Sequence, residues 1–246
     1  VRSLHVAQDG TIYVGSKKEL GYLEPDENGQ LRYVSLMEHI PPNDREFQDV
    51  WNTFETPDGI YFYSYTRLLR WKNNRFKTWD IYTNGSPNYI QGHLYITGRD
   101  GKLLRLENDR LVTVTQRAEF VRGIMAILPL PAPNKDVLVI PWARELKAFN
   151  LQTGEYTDSF KVPEATNSFL KKHTFYNYSR FPDGRFFINT LQGGSLLLDP
   201  QFNILKNYTQ STGLPGDIVY YSHIDREGAV WVGTGKGMAR LELDTP

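Results

Sequence analysis

Apolar and polar residues alternate with a period of two along almost the whole chain, in short runs broken by Asp-Gly, Glu-Gly and Asn-rich turns. That period is the mark of strands with opposite faces in different surroundings. The runs also repeat. VYYSHIDREGAVWVGT at 219–234 lies without a gap on VRSLHVAQDGTIYVGS at 1–16. Weaker copies centre on residues 57–62, 91–96 and 182–187, and a degenerate one on 134–139. The 218 residues from Gly10 to Gly228 hold five steps of about 44, close to the ~40–45 residues of a four-stranded propeller blade. Three residues after the anchor glycines stand Tyr13, Phe62, Tyr95, Phe187 and Trp231; only the degenerate fourth copy lacks the aromatic.

Each repeat continues alike. A hairpin turn joins two alternating strands, a third strand follows (Gly21–Leu23, Leu69–Trp71, Leu104–Leu106, Leu146–Phe149, Leu196–Leu198, Ala239–Leu241), and a further turn leads to a fourth. The pattern predicts an all-β chain, a β-propeller of about six visible four-stranded blades whose last stops after its third strand. The units run over 1–36, 50–81, 86–116, 121–160, 173–210 and 217–246 of a single propeller domain spanning 1–246. The propeller is expected to be complete or a piece of a seven-bladed or larger one. No convincing amphipathic helix is predicted, only a turn or two between Met37 and Asp49.

Composition narrows the function classes. Of 246 residues, 28 are basic and 28 acidic, so nothing points to a nucleic-acid surface or a polybasic membrane patch. The chain has no cysteine, which excludes disulfides and thiolate metal sites. No apolar run reaches the roughly 18 residues of a membrane span. The sequence opens at Val1 inside an apolar alternation, and the expectation is a fragment whose targeting segment and anchor lie outside it.

The stretch GLPGDIVYYSHIDREGAVWVGTGKGMARLELD at 213–244 closely resembles the two-component-regulator propeller repeat: G-L-P, then V-x-x-I, D-x-x-G-x-[LV]-W-[IV]-G-T and G-[LM]-x-R. Residues 1–36 resemble the opening blade of similar bacterial sensors. The match is specific in the first and last copies and loose in the middle four. The resemblance implies the periplasmic or extracellular sensing part of a membrane-anchored signalling protein. Such parts are followed in the parent chain by an immunoglobulin-like module, a membrane helix and an output domain. Family propellers are usually seven-bladed, and six copies with an unfinished last one depart from that.

Several stretches with a chemical look change meaning beside their repeat partners. Gly233-Thr234-Gly235-Lys236-Gly237 has the look of a phosphate loop, but a strand, Met238–Leu241, follows it where a helix N-terminus is required. Its partner at 15–21 keeps only the flanking glycines, so it reads as a hairpin turn. His5 and His223 sit in matching first strands, which suggests rings directed toward the propeller axis or the inter-sheet core. Their register neighbours Phe54 and Ser179 supply no further ligand, so no metal site or cofactor is predicted. His39, His93 and His173 read as isolated loop or strand residues. Asp26-Glu27-Asn28-Gly29 has a faint calcium-loop look and reads as a solvated turn.

What remains is a binding surface on the turns between second and third strands. These carry Tyr65-Thr66-Arg67, Arg99-Asp100, Trp142-Ala143-Arg144-Glu145, Gln192 and Lys236. Arg67, Arg99, Trp142, Arg144 and Lys236 are the candidate ligand-binding residues: arginine forks and aromatic rings suit an anionic or sugar-like ligand. The leading expectation is a non-catalytic sensor binding an extracellular small molecule or oligosaccharide, or mediating protein contact. A propeller lyase or hydrolase acting on polysaccharide is the alternative, since carboxylate pairs formed across blades leave no local spacing. A scaffold that homodimerises through blade edges or faces is a third option.

Overall fold

The computed structural model describes residues 1–142 and 145–243. The strands fall into six antiparallel sheets, five of four strands and one of three, each a meander in chain order. The architecture is a six-bladed β-propeller, almost all β. The chain divides into two compact units, Val1–Arg99 and Asp100–Pro246, the boundary falling within the third repeat.

The first unit holds blade one, β1 (Ser3–Val6), β2 (Ile12–Ser16), β3 (Glu19–Pro25) and β4 (Leu31–Ser35), and blade two, β5 (Asn52–Thr56), β6 (Gly59–Tyr63), β7 (Arg67–Lys72) and β8 (Arg75–Asp80). The hairpin β9 (Asn88–Ile90) and β10 (His93–Thr97) closes it. Between blades one and two run two short 3-10 turns, Met37–His39 and Pro42–Asp44, in the segment where the sequence predicts a turn or two. The second unit opens with the hairpin β11 (Lys102–Glu107) and β12 (Arg110–Gln116). Blade four follows: β13 (Ile124–Pro129), β14 (Val137–Pro141), β15 (Lys147–Asn150) and a two-residue β16 (Glu155–Tyr156). Blade five is β17 (Phe175–Arg180), β18 (Phe186–Thr190), β19 (Ser195–Leu198) and β20 (Ile204–Tyr208); the last is β21 (Val219–Ile224), β22 (Val230–Thr234) and β23 (Gly237–Leu241).

Second strands are the most apolar because sheets stack on both of their faces. β14 and β18 are buried at every position. In the first unit Phe62, Leu69, Leu36 and Val50 fill the seam between blades one and two. In the second, Leu138, Phe186, Leu196 and Phe202 fill the seam between blades four and five. Each such side chain contributes roughly 1.5–3 kcal/mol on burial. The outer strand β4 is largely exposed, Leu31 and Tyr33 included.

Turn chemistry accounts for the recurring Asn and Asp. Asn73 and Asn74 (φ 50° and 57°) and Asn108 and Asp109 (φ 45° and 61°) form two-residue hairpin loops with positive φ at both positions, matching the twist of the strands they join. Asp26, the residue with the calcium-loop look, directs one carboxylate oxygen to the backbone N–H groups of Asn28 and Gln30, both at 2.8 Å. Asp225 accepts from the N–H groups of Glu227 and Ala229 (both 3.0 Å) with one oxygen and from Trp231 Nε1 (3.0 Å) and Arg240 Nε (3.3 Å) with the other. Desolvation pulls its carboxyl upward, but Trp231, those two N–H groups and Arg240 together hold it below the usual carboxylate range. The motif residues Asp225, Trp231 and Arg240 thus brace their own blade.

One element departs from the expectation. Residues Glu164–His173 form helix α1, ten residues long, in a stretch where the sequence pattern predicts none. Its apolar content is only Ala165, Phe169 and Leu170, too few to show a stripe. Its end signals are present: Pro163 and Glu164 at the start, Lys171, Lys172 and His173 in the last turn. Leu170 packs into the seam between blades four and five, and the Thr166 hydroxyl donates to the Phe202 carbonyl at 2.6 Å.

The segment leading to α1 is tied down by Asp136. Its oxygens accept from Asn150 Nδ2 (2.8 Å), Thr157 Oγ1 (2.7 Å) and Ser159 Oγ (2.7 Å). The hydroxyls of Ser159 and Thr157 hold its carboxyl below the ordinary value, against partial burial and with help from Asn150. A depressed folded-state value means this stabilisation is full above the unfolded value near 3.9 and disappears as pH falls through the lower folded one. Asp136→Ala is therefore expected to cost about 2 kcal/mol in urea melts at pH 7. The gap from the parent should narrow in melts at pH 3; equal gaps at both pH values would show that the charge contributes nothing.

Candidate functional site

The turns between second and third strands converge on the inter-blade connections of their own unit, and in the first unit the geometry is defined by backbone pairing. Val50 N–H donates to Ser16 O (3.0 Å) and Trp51 N–H to Tyr63 O (2.8 Å), so the connection into blade two is clamped between two turns. The next connection is held the same way: Ile81 N–H to Thr66 O (3.1 Å), Thr83 N–H to Tyr65 O (3.0 Å) and Arg99 N–H to Tyr82 O (2.8 Å). In each case a buried β-branched residue, Val50 or Ile81, anchors the strap, and the aromatic after it, Trp51 or Tyr82, is exposed.

The result is a stripe of aromatic and arginine side chains. Trp51 and Tyr65 are 38% and 40% exposed with ring centroids 5.8 Å apart. The Arg2 guanidinium lies over the Trp51 ring at 5.2 Å while its Nε donates to Asp49 at 2.8 Å. Tyr82, 61% exposed, lies under the Arg99 guanidinium at 4.0 Å, and Arg99 Nε donates to the Thr83 carbonyl at 3.2 Å. Cation–π contacts of this kind contribute about 0.5–1 kcal/mol at exposed sites and hold the guanidinium plane in place. Beneath the stripe, the buried Tyr63 hydroxyl is hydrogen-bonded to Thr83 and the Gly85 carbonyl, and burial pushes that phenol far up. A rigid floor therefore carries exposed rings and guanidinium hydrogens, a set suited to stacking on a sugar ring and forking a carboxylate or sulfate.

Of the residues proposed from the sequence, Arg99 belongs to this stripe. Arg67 does not: its side chain is 13% exposed and is committed to Asp44 at 2.6 Å and Asp80 at 3.0 Å. Trp142 lies half-buried in the β14–β15 turn, its N–H donating to Gly123 O at 3.1 Å. Lys236 is exposed in the two-residue β22–β23 turn, with Nζ 3.5 Å from Gln210 Oε1, and the Gly-Thr-Gly-Lys-Gly stretch is the hairpin expected. Arg144 lies outside the described residues. His5 Nε2 sits 3.6 Å from a Glu55 oxygen, whereas His223 is exposed rather than directed into a core. Among the described residues no group of three His, Asp or Glu is placed to hold a metal. His173 ends α1 instead of standing in a loop or strand; burial and then Lys172 lower its value, against a hydrogen bond to the Gln192 backbone.

Sequence reasoning missed Arg2, Trp51 and Tyr82. The available signal was a second repeat, Asp49-Val50-Trp51 and Asp80-Ile81-Tyr82, which falls between the blades rather than inside them.

No protein-family model and no curated protein matches the chain. Solved structures do. The chain is similar to the WD40 β-propeller domain of Doa1 at TM-score 0.67 and 11% identity, over 97% of this chain and 76% of that one. It is similar to virginiamycin B lyase from Staphylococcus aureus at TM-score 0.64 and 11% identity, over 100% and 85%. The extracellular domain of a B. thetaiotaomicron protein assigned as a hybrid two component system aligns at TM-score 0.44 and 15% identity, over 98% of this chain and 36% of that one. At these identities the likeness bears on fold alone, and the lyase is no argument for catalysis.

Proposed function

We propose that the chain is a non-catalytic recognition module, a sensor propeller whose ligand is an anionic saccharide met outside the cytoplasm. The observation that carries this reading is the stripe Arg2–Trp51–Tyr65 with Tyr82–Arg99. Its exposed Trp51 and Tyr82 rings each carry a guanidinium and lie on connections clamped by backbone hydrogen bonds, so little ordering cost attends binding. The likeness of residues 213–244 to the two-component-regulator repeat supports placing such a module in a membrane-anchored signalling protein. Blade seams built like a protein core keep the scaffold stiff, so binding energy is directed to the loops and to whatever follows the propeller in the parent chain.

The test is calorimetric titration with uronic-acid and sulfated oligosaccharides. Binding by at least one is expected, and Trp51→Ala and Arg99→Ala should each weaken it about tenfold, the equivalent of roughly 1.4 kcal/mol, without lowering the melting temperature by more than a few degrees. Binding that both variants leave intact would remove this face from the reading. Turnover of any of these saccharides would replace recognition with catalysis.

A further inference from the structure

We propose that the first unit carries a second binding site, for a single neutral pyranose residue, in the seam between blades one and two. The seam is closed by its aliphatic core near Leu36 and Leu69, but toward the β1–β2 and β7–β8 turns it opens into a cavity of about 350 Å³. Its walls are Tyr13, Tyr22, Trp71 and His39, with Thr11 and Asn74 at the rim. The turns that bound it lie at the opposite ends of β6 and β7 from the Trp51–Tyr65 pair, so the two sites are separate.

Three features specify the ligand class. The first is ring geometry. Tyr13 stands tilted to Tyr22 with centroids 6.1 Å apart, and His39 meets Trp71 edge-on at 5.1 Å, so ring faces rather than a flat stack bound the space. Apolar C–H faces of a pyranose pack on such surfaces. Second, among the described residues no Lys, Arg, Asp or Glu lines the cavity, in contrast to the Arg2 and Arg99 stripe. A charged ligand would lose its hydration with nothing fixed to replace it. Third, polar atoms able to meet hydroxyls are present at defined points. Tyr13 and Tyr22 line the cavity, and a phenol can both donate and accept. Thr11 and Asn74 add a hydroxyl and an amide at the mouth. The volume lies at the low end of ligand cavities, which fits one sugar residue rather than a chain.

The probes are the methyl glycosides of glucose, galactose, mannose and N-acetylglucosamine, with indole and p-cresol as planar aromatic comparisons, read by saturation-transfer NMR and by tryptophan fluorescence. At least one glycoside should bind in the millimolar range with saturation concentrated on one ring face. His39→Ala should weaken it at least fivefold, and Val34→Phe, which adds a ring at a position lining the cavity, should abolish it. Trp51→Ala should leave it unchanged, which separates failure of this site from failure of the anionic-saccharide face. No glycoside binding at 100 mM would overturn the proposal. So would binding of indole or p-cresol alone, or glycoside binding indifferent to His39→Ala in a protein whose Val34→Phe variant does not fold.

Discussion

Arg67→Ala is expected to lower stability by about 2–3 kcal/mol, a drop in melting temperature of roughly 5–10 °C for a chain of this size. The guanidinium, 13% exposed, bridges Asp44 at 2.6 Å and Asp80 at 3.0 Å. The Asp80 arm contributes little, because that carboxylate is 84% exposed and water competes for it. Asp44 is different. It is 26% exposed, and its second oxygen accepts from Thr78 at 2.5 Å, so it ties the Pro42–Asp44 turn onto blade two. Alanine at 67 would strand that carboxylate half-desolvated with one hydroxyl partner. Part of the loss is the missing attraction, and part is the uncompensated charge left behind. A double variant with Asp44→Ala should therefore be more stable than the sum of the two single losses predicts, as measured by urea denaturation. Additive losses would dissolve the pairing. A stable Arg67→Ala protein that lost saccharide binding would return Arg67 to the ligand face.

Gly194→Ala is expected to cost about 3 kcal/mol. Gly194 sits at φ 72° in the β18–β19 turn, where an L-residue loses roughly 1–2 kcal/mol to backbone sterics alone. A Cβ there would also meet the Tyr208 carbonyl oxygen at 2.0 Å, and that oxygen belongs to backbone that cannot rotate away. The turn has little room to adjust. Gly194 N–H donates to Asp217 O at 2.9 Å, Thr190 N–H and Oγ1 both donate to Gly194 O (3.0 and 2.9 Å), and Gly193 N–H donates to Thr190 Oγ1 at 2.9 Å. By contrast Gly10, also at positive φ (88°), has no atom within 4 Å of where a Cβ would stand, so Gly10→Ala should cost only its backbone strain, about 1–2 kcal/mol. Comparable melts for the two variants would mean the Tyr208 contact relaxes freely.

The blades were legible because each is a local object. Strand period, Asn-Asn and Asn-Asp turns and the aromatic three residues past the anchor glycines act within some 40 residues, the length of one blade. Helix α1 was not, because its three apolar residues give no periodic signal and its place is set by the seam that Leu170 fills. The site divides in the same way. Arg99 was read from its turn, but so was Arg67, and only the approach of Asp44, 23 residues away, shows that its charge is already paired. Trp51 and Tyr82 lie in connections whose spacing the blade repeat does not govern.

The sequence by itself determined the propeller and its hairpin turns, since period and turn conformation are near-neighbour properties of the backbone. Tertiary structure decided which arginine faces solvent, which rings stand together and where the seam between blades stays open. Those depend on residues tens of positions apart reaching a common point, and no short-range pattern records that distance.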